Sequence, residues 1–119
     1  MTCLLGLAAD IEERGPGLMF HVNKGGRIYP ALVIRYEGKI RAYLNVCAHQ
    51  GLRLNRDKNI FFNRDGNLLK CMSHGAMFEP DSGVCSWGPC EGLSLIALQV
   101  SEEDENIYYR DEDYDLIED

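Results

Sequence analysis

An all-β fold, an antiparallel β sandwich carrying a small inserted subdomain, is predicted by three features of the 119-residue sequence. Residues 40–46 alternate strictly. Ile40, Ala42, Leu44 and Val46 fall on one side and Arg41, Tyr43 and Asn45 on the other, the period of a half-buried strand. Short β-branched and aromatic runs are separated by turn residues, of which Asp65-Gly66 is the strongest hairpin signal. The remaining regular segments also read as strands, and strands without helical partners bury their apolar faces sheet on sheet.

Taken in order, residues 1–16 are an N-terminal lead, charged over 10–14 and broken by Gly15-Pro16-Gly17. Residues 18–22 form a first strand that contains His21 and ends in Asn23-Lys24-Gly25-Gly26. Residues 29–36 and 40–46 form a hairpin about Glu37-Gly38-Lys39, and its second strand delivers Cys47. The loop 50–59 carries Arg53, Arg56 and Lys58 against one acid, Asp57. It reads either as a solvated connection or as a rim where positive charge meets an acidic partner. Residues 60–62 and 67–70 flank the Asp65-Gly66 turn, and the return strand delivers Cys71. The two cysteines would then stand at the tips of adjacent sheet edges, where a sheet fixes a ligand's position. Met77-Phe78 re-enters apolar structure, residues 80–83 turn, and 84–87 form a short strand. Residues 93–100 and 106–110 are the last strands, joined by a turn at 101–105.

Residues 1–110 therefore make one domain, with an inserted subdomain at about 46–90. Residues 111–119 hold six acids in nine positions. This tail reads as a disordered, solubilising end, or else as an electrostatic lure for a basic surface. Residues 1–100 carry 11 Lys and Arg against 9 acids, whereas 101–119 carry one Arg against 10, so the net charge of −7 belongs to the C-terminal end. No basic patch with interleaved aromatics points to nucleic acid. No apolar run reaches the length of a membrane span, and residues 1–9 lack the pattern of an export signal. Five cysteines make an odd set unlike a secreted disulfide framework, which suits a reducing cytoplasm.

The chemistry concentrates in two short runs, Cys47-Ala48-His49 and Cys71-Met72-Ser73-His74. Twenty-one residues separate them. Gly51 and Gly75 follow the histidines closely. Two thiolates and two imidazoles are a metal set. A structural zinc site is one reading, although zinc fingers usually pair Cys with Cys and His with His along the chain. Here each half holds one of each, which suits a two-iron cluster whose irons take like pairs of ligands.

At C-x-H-x-G (Cys47, His49, Gly51) and C-x-x-H-G (Cys71, His74, Gly75) the chain resembles the Rieske [2Fe–2S] family. The likeness continues through residues 76–79, the turn at 81–83 and Gly88-Pro89, and spans roughly residues 40–100. It implies a cluster-binding subdomain in which Cys47 and Cys71 hold the inner iron. His49 and His74 would hold the outer iron through Nδ1, with Nε2 toward solvent. It also implies that Gly88-Pro89 belongs to a loop covering the cluster. High-potential members carry a Ser after His-Gly and a Tyr two residues on, where this chain has Ala76 and Phe78. They also carry a loop-to-loop disulfide at the positions of Leu52 and Ser73. Without those hydroxyl donors and that disulfide, the reduction potential should fall low in the roughly −150 to +300 mV Rieske range.

The resemblance points to a stand-alone Rieske-type ferredoxin. It would carry one electron from an NAD(P)H-dependent flavoprotein reductase to a terminal oxygenase, with no small-molecule substrate of its own. With His21 the only histidine left over, no second iron site for substrate chemistry remains. A small subunit of a multicomponent oxidoreductase and a redox-sensing cluster protein are the alternatives. Cys85 and Cys90 read as small free buried residues, with a redox-active C-x4-C pair or a disulfide as the alternative. Trp87 reads as a packing residue.

Overall fold

The computed structural model describes residues 3–47, 53–55, 59–72, 75–89 and 92–117. Among these, regular structure is strand apart from one 3-10 turn at Ala8–Asp10. The strands are β1 (Cys3–Leu7), β2 (Leu18–Lys24), β3 (Arg27–Tyr36), β4 (Lys39–Leu44), β5 (Leu69–Lys70), β6 (Met77–Phe78), β7 (Cys85–Trp87), β8 (Ala97–Leu98), β9 (Val100–Glu103), β10 (Asn106–Tyr109) and β11 (Asp115–Leu116). They form a five-stranded sheet in the order β11-β2-β3-β4-β8 and two three-stranded sheets, β1-β10-β9 and β5-β6-β7. All the strand pairings are antiparallel.

The five-stranded sheet is the middle layer. One face packs on β1-β10-β9 through Phe20, Val22, Ala31, Val33, Ala42, Leu44, Ile107 and Tyr109. Phe20 and Tyr109 meet edge to face at 5.6 Å, a favourable aromatic geometry. The other face packs on the β5-β6-β7 subdomain through Leu32, Ile34, Tyr43, Leu54, Phe61, Leu69 and Phe78. This explains the unbroken run Ala31-Leu32-Val33-Ile34, four residues all at 0% exposure. A strand covered on both faces has no polar side to alternate with. It also corrects the half-buried reading of β4: Tyr43 is 2% and Asn45 0% exposed, because the subdomain covers the face assigned to solvent.

Arg35 clasps the two sheets of the sandwich at their edge. From β3 it reaches both carboxylate oxygens of Glu102 on β9 at 2.9 Å and also donates to the Ala8 and Ile11 carbonyls. At Gly17 a Cβ would stand 2.5 Å from the Val33 carbonyl oxygen, so only glycine lets the lead pass this close to β3.

Both ends of the chain are more regular than their composition suggests. The apolar run in the lead is β1, paired with β10. The acidic tail is not a disordered end. Its residues 115–116 pair with β2, and the Ile117 amide donates to the His21 carbonyl at 3.0 Å. Tyr114 packs edge-on against Tyr29 at 5.8 Å, beneath the Lys24 ammonium. Tyr114 and Leu116 give the segment apolar surface to bury, while Asp115 between them faces water. The turn expected at 101–105 is tighter, at Asp104-Glu105, both with positive φ, and β9 runs on to Glu103.

Candidate metal centre

Cys47 and Cys71 arrive from different sheets. β4 ends at Leu44, and Asn45-Val46 carry the chain on to Cys47, so the strand stops short of the ligand expected at its tip. β5 ends at Lys70, immediately before Cys71. The picture of two adjacent edges is therefore corrected. One thiol leaves the central sheet, the other leaves the small sheet, and loop contacts bring them together. Neither forms a disulfide, both are 1% exposed, and they belong to one buried cluster with Leu54, Phe61, Ala76 and Phe78. His49 and His74 lie outside the described residues, as do Leu52 and Ser73 at the disulfide positions.

The segment after Cys71 is closed by its own backbone. The Cys71 amide donates to the Ala76 carbonyl at 2.8 Å, and the Gly75 amide donates back to the Cys71 carbonyl at 2.9 Å. Gly75 has φ +77°, the left-handed conformation this reversal needs. The segment after Cys47 is tied to it through Leu54, whose carbonyl accepts the Met72 amide at 2.8 Å. Leu54 is held in turn by Asn45, whose Oδ1 accepts the Leu54 amide at 2.8 Å. Asn45 Nδ2 donates to Asn55 Oδ1 at 2.8 Å. Asn45 and Asn55 are the two buried polar side chains among the described residues. The strand alternation placed Asn45 on a solvent face. The signal that could have found it is its place, a short amide two residues before a cysteine of the Cys–His runs.

Gly88 lies directly on this segment. With φ +98°, a Cβ there would come within 3.0 Å of the Ala76 Cα, so the Gly88-Pro89 turn rests on the backbone that follows His74. Trp87 is not a packing residue. It is 63% exposed, and its indole edge stands 4.0 Å from where a Gly75 Cβ would be. Cys85 is half-buried and disulfide-bonded, which corrects the reading of a free buried thiol. Cys90 lies outside the described residues. In the loop between the ligand runs, Arg53 is exposed, and Arg56 and Lys58 lie outside the described residues.

Tyr43 braces the subdomain from beneath. Its hydroxyl donates to the buried Pro80 carbonyl at 2.7 Å, and burial pushes its pKa up to about 12. Ala76 and Phe78, both at 0% exposure, bring no hydroxyl to the thiol pair. Two buried cysteines in a dry apolar cluster are a donor set suited to soft metal ions and iron–sulfur clusters. Three or more His, Cys, Asp or Glu side chains do not converge among the described residues. No helix among them is long and apolar enough to cross a membrane.

Known proteins share this arrangement. A model of the Rieske [2Fe-2S] domain matches residues 5–99. The oxidoreductase NdmD of Pseudomonas putida is 38% identical over 52 residues, which span 44% of this chain and 8% of that protein. The ferredoxin of carbazole 1,9a-dioxygenase from Nocardioides aromaticivorans IC177 superposes with a TM-score of 0.69 at 18% identity, over 94% of this chain and 99% of that one. A chain from a complex of reduced oxygenase and oxidized ferredoxin in carbazole 1,9a-dioxygenase superposes with a TM-score of 0.66 at 24% identity, over 90% and 99%. The family match covers both cysteines, both linked loops and the strands from β2 to β8: the chain belongs to the Rieske [2Fe-2S] domain family, and its cofactor is a Rieske-type [2Fe–2S] cluster.

Proposed function

We propose that the chain is a Rieske-type ferredoxin, taking one electron from an NAD(P)H-dependent flavoprotein reductase and passing it to a terminal oxygenase. The observation that carries this reading is the pair of buried cysteines, Cys47 and Cys71, heading two linked loops inside a Rieske domain. Cys47 and Cys71 hold one iron of the cluster, and His49 and His74 hold the other. When bound, the cluster takes up and releases a single electron.

The chain's own residues set the terms of that exchange. Ala76 and Phe78 offer no hydroxyl to the cluster sulfurs, so the added electron is stabilised less and the potential lies low in the roughly −150 to +300 mV Rieske range. Leu54, Phe61 and Phe78 keep water from the thiolate side. The Gly88-Pro89 turn rests on Ala76, and Trp87 beside it is exposed, a surface open to a partner. Exposed Arg53 offers positive charge that an acidic partner surface would complement. An oxygenase partner is supported by the fold's likeness to the ferredoxin of carbazole 1,9a-dioxygenase and to the oxygenase–ferredoxin complex. We place the carrier in the cytoplasm. That Cys3, Cys47 and Cys71 form no disulfide suits a reducing compartment, whereas the disulfide at Cys85 favours an oxidising one, and cell fractionation decides between them.

A second reading, a Rieske module within a larger oxidoreductase, is favoured by the match to a stretch amounting to 8% of NdmD. Stable co-purification with a large catalytic subunit would select it over a diffusing carrier. The test of the main reading is an anaerobic redox titration followed by visible absorption and EPR. A rhombic signal of low average g on reduction is expected, with a midpoint in the lower half of the Rieske range and little pH dependence near neutrality. A colourless protein with one zinc per chain overturns it.

A further inference from the structure

We propose that Asn45 is a positioning residue for the cluster, its one side-chain amide setting the separation of the Cys47 and Cys71 arms. This rests on the reading of Cys47 and Cys71 as ligands and adds a residue that touches neither iron.

Asn45 is 0% exposed, and it sits two residues before Cys47. Its backbone amide donates to the Pro30 carbonyl at 2.8 Å, which anchors it to β3 of the central sheet. Its side chain then works in both directions. Oδ1 accepts from the Leu54 amide, and Nδ2 donates to Asn55 Oδ1, each at 2.8 Å. Asn55, 6% exposed, reaches back to the Met19 sulfur on β2 at 3.3 Å. Leu54 turns its carbonyl to the Met72 amide, beside Cys71. A continuous run of hydrogen bonds thus leads from the residue that launches the Cys47 arm to the residue that follows the Cys71 ligand. The two arms leave different sheets, so among the described residues no strand pairing fixes their spacing.

The chemistry selects asparagine. The position must offer an acceptor to a backbone N–H and a donor to a carbonyl oxygen at once, within a buried space. A primary amide does both without charge. Leucine would fill the volume and leave the Leu54 amide buried and unpaired, and aspartate would set a buried charge beside the Asn55 oxygen. Two thiolates held too loosely accept a range of iron–sulfur geometries. The consequence is heterogeneity at the cluster as well as lost stability.

The experiment compares the holoproteins of the wild type, Asn45→Ala, Asn55→Ala and Ile107→Val. The last is a sandwich-core control that lowers stability away from the loops. Two readouts are taken: the line widths and g-values of the reduced EPR signal, and the rate of cluster loss to an iron chelator. Asn45→Ala is expected to broaden and shift the signal and to lose its cluster about tenfold faster, the scale of one to two lost hydrogen bonds. Asn55→Ala keeps the Leu54 bond and should fall between it and the wild type. Ile107→Val should match the wild-type spectrum. An Asn45→Ala holoprotein with wild-type spectrum and release rate overturns the proposal. If Asn45→Ala does not fold, Asn55→Ala decides, and wild-type behaviour there overturns it equally. A wild-type protein that binds no iron contradicts the ligand reading itself, a separate failure visible before any variant is made.

Discussion

The sandwich and the cluster-binding subdomain are built on opposite terms. β2 and β3 run for 7 and 10 residues, whereas β5, β6 and β7 run for 2, 2 and 3. The sandwich core holds apolar side chains in continuous ladders. The subdomain core holds two thiols beside a buried Asn pair, stitched by single backbone bonds such as Lys70 N–H to the Phe61 carbonyl at 2.8 Å. A hairpin of two-residue strands is marginal alone. The sandwich is stable by its own burial, and the subdomain is completed by its metal, as sites that form only with folding generally are.

The sharpest way to break this contrast is Cys71→Ser. The account expects loss of the visible chromophore, with amide exchange protection lost at Leu54, Lys70, Cys71 and Met72 and retained on β2, β3 and β4. Protection lost everywhere would mean that the two regions form one cooperative unit. Next in size is Phe78→Ala. It removes a ring at 0% exposure and should cost about 3–5 kcal/mol by denaturant titration of the apoprotein if the subdomain core survives without metal. A much smaller cost would show that this core collapses once the metal is gone, which sharpens the contrast.

Tyr43→Phe tests the joint between the regions. It leaves the buried Pro80 carbonyl without its donor and should cost about 1–3 kcal/mol. It should also change alkaline behaviour. The Tyr43 phenol has a folded pKa of about 12 against an ordinary value of 10.0, so the unfolded chain releases its proton first. Stability is intact below pH 10 and falls as pH rises from 10 toward 12. The Phe variant should lose that part of the decline in a pH-dependent urea titration.

The smallest effect is Glu102→Gln. The Arg35 guanidinium holds the Glu102 carboxyl below its ordinary 4.5. That stabilisation is present above pH 4.5 and is lost as pH falls through the lowered folded value. Glu102 is about a third exposed, so the cost at pH 7 should be about 0.5–1 kcal/mol, confined to the sandwich. A thermal melt at pH 7 and at pH 3 reads both the size and its disappearance.

The strands between 18 and 46 and the turn at Asp65-Gly66 were legible because local alternation and turn chemistry agree with the tertiary fold. The Cys47–His49 and Cys71–His74 runs stood out because that spacing is rare by chance, and the structure brings the two cysteines into one buried cluster. What escaped shares one cause, burial set by another part of the chain. Asn45 and Tyr43 look solvent-facing along β4 until a subdomain inserted after that strand covers them. The acidic tail looks disordered by average composition until Tyr114 and Leu116 find Tyr29 and β2. Trp87 looks like core until its short strand is seen at the rim of a small sheet, and the disulfide at Cys85 runs against the reducing compartment that an odd number of cysteines suggests. β1 was hidden because a five-residue apolar run has no turn before it to mark it as a strand.

The ligand set is tested most directly by pulsed EPR of the reduced protein carrying 15N-labelled histidine. The account predicts two strongly coupled histidine nitrogens, one lost in His49→Ala and the other in His74→Ala, with two irons per chain in the wild type. A paramagnetic cluster with no coupled histidine nitrogen, or a metal stoichiometry of one, would contradict it.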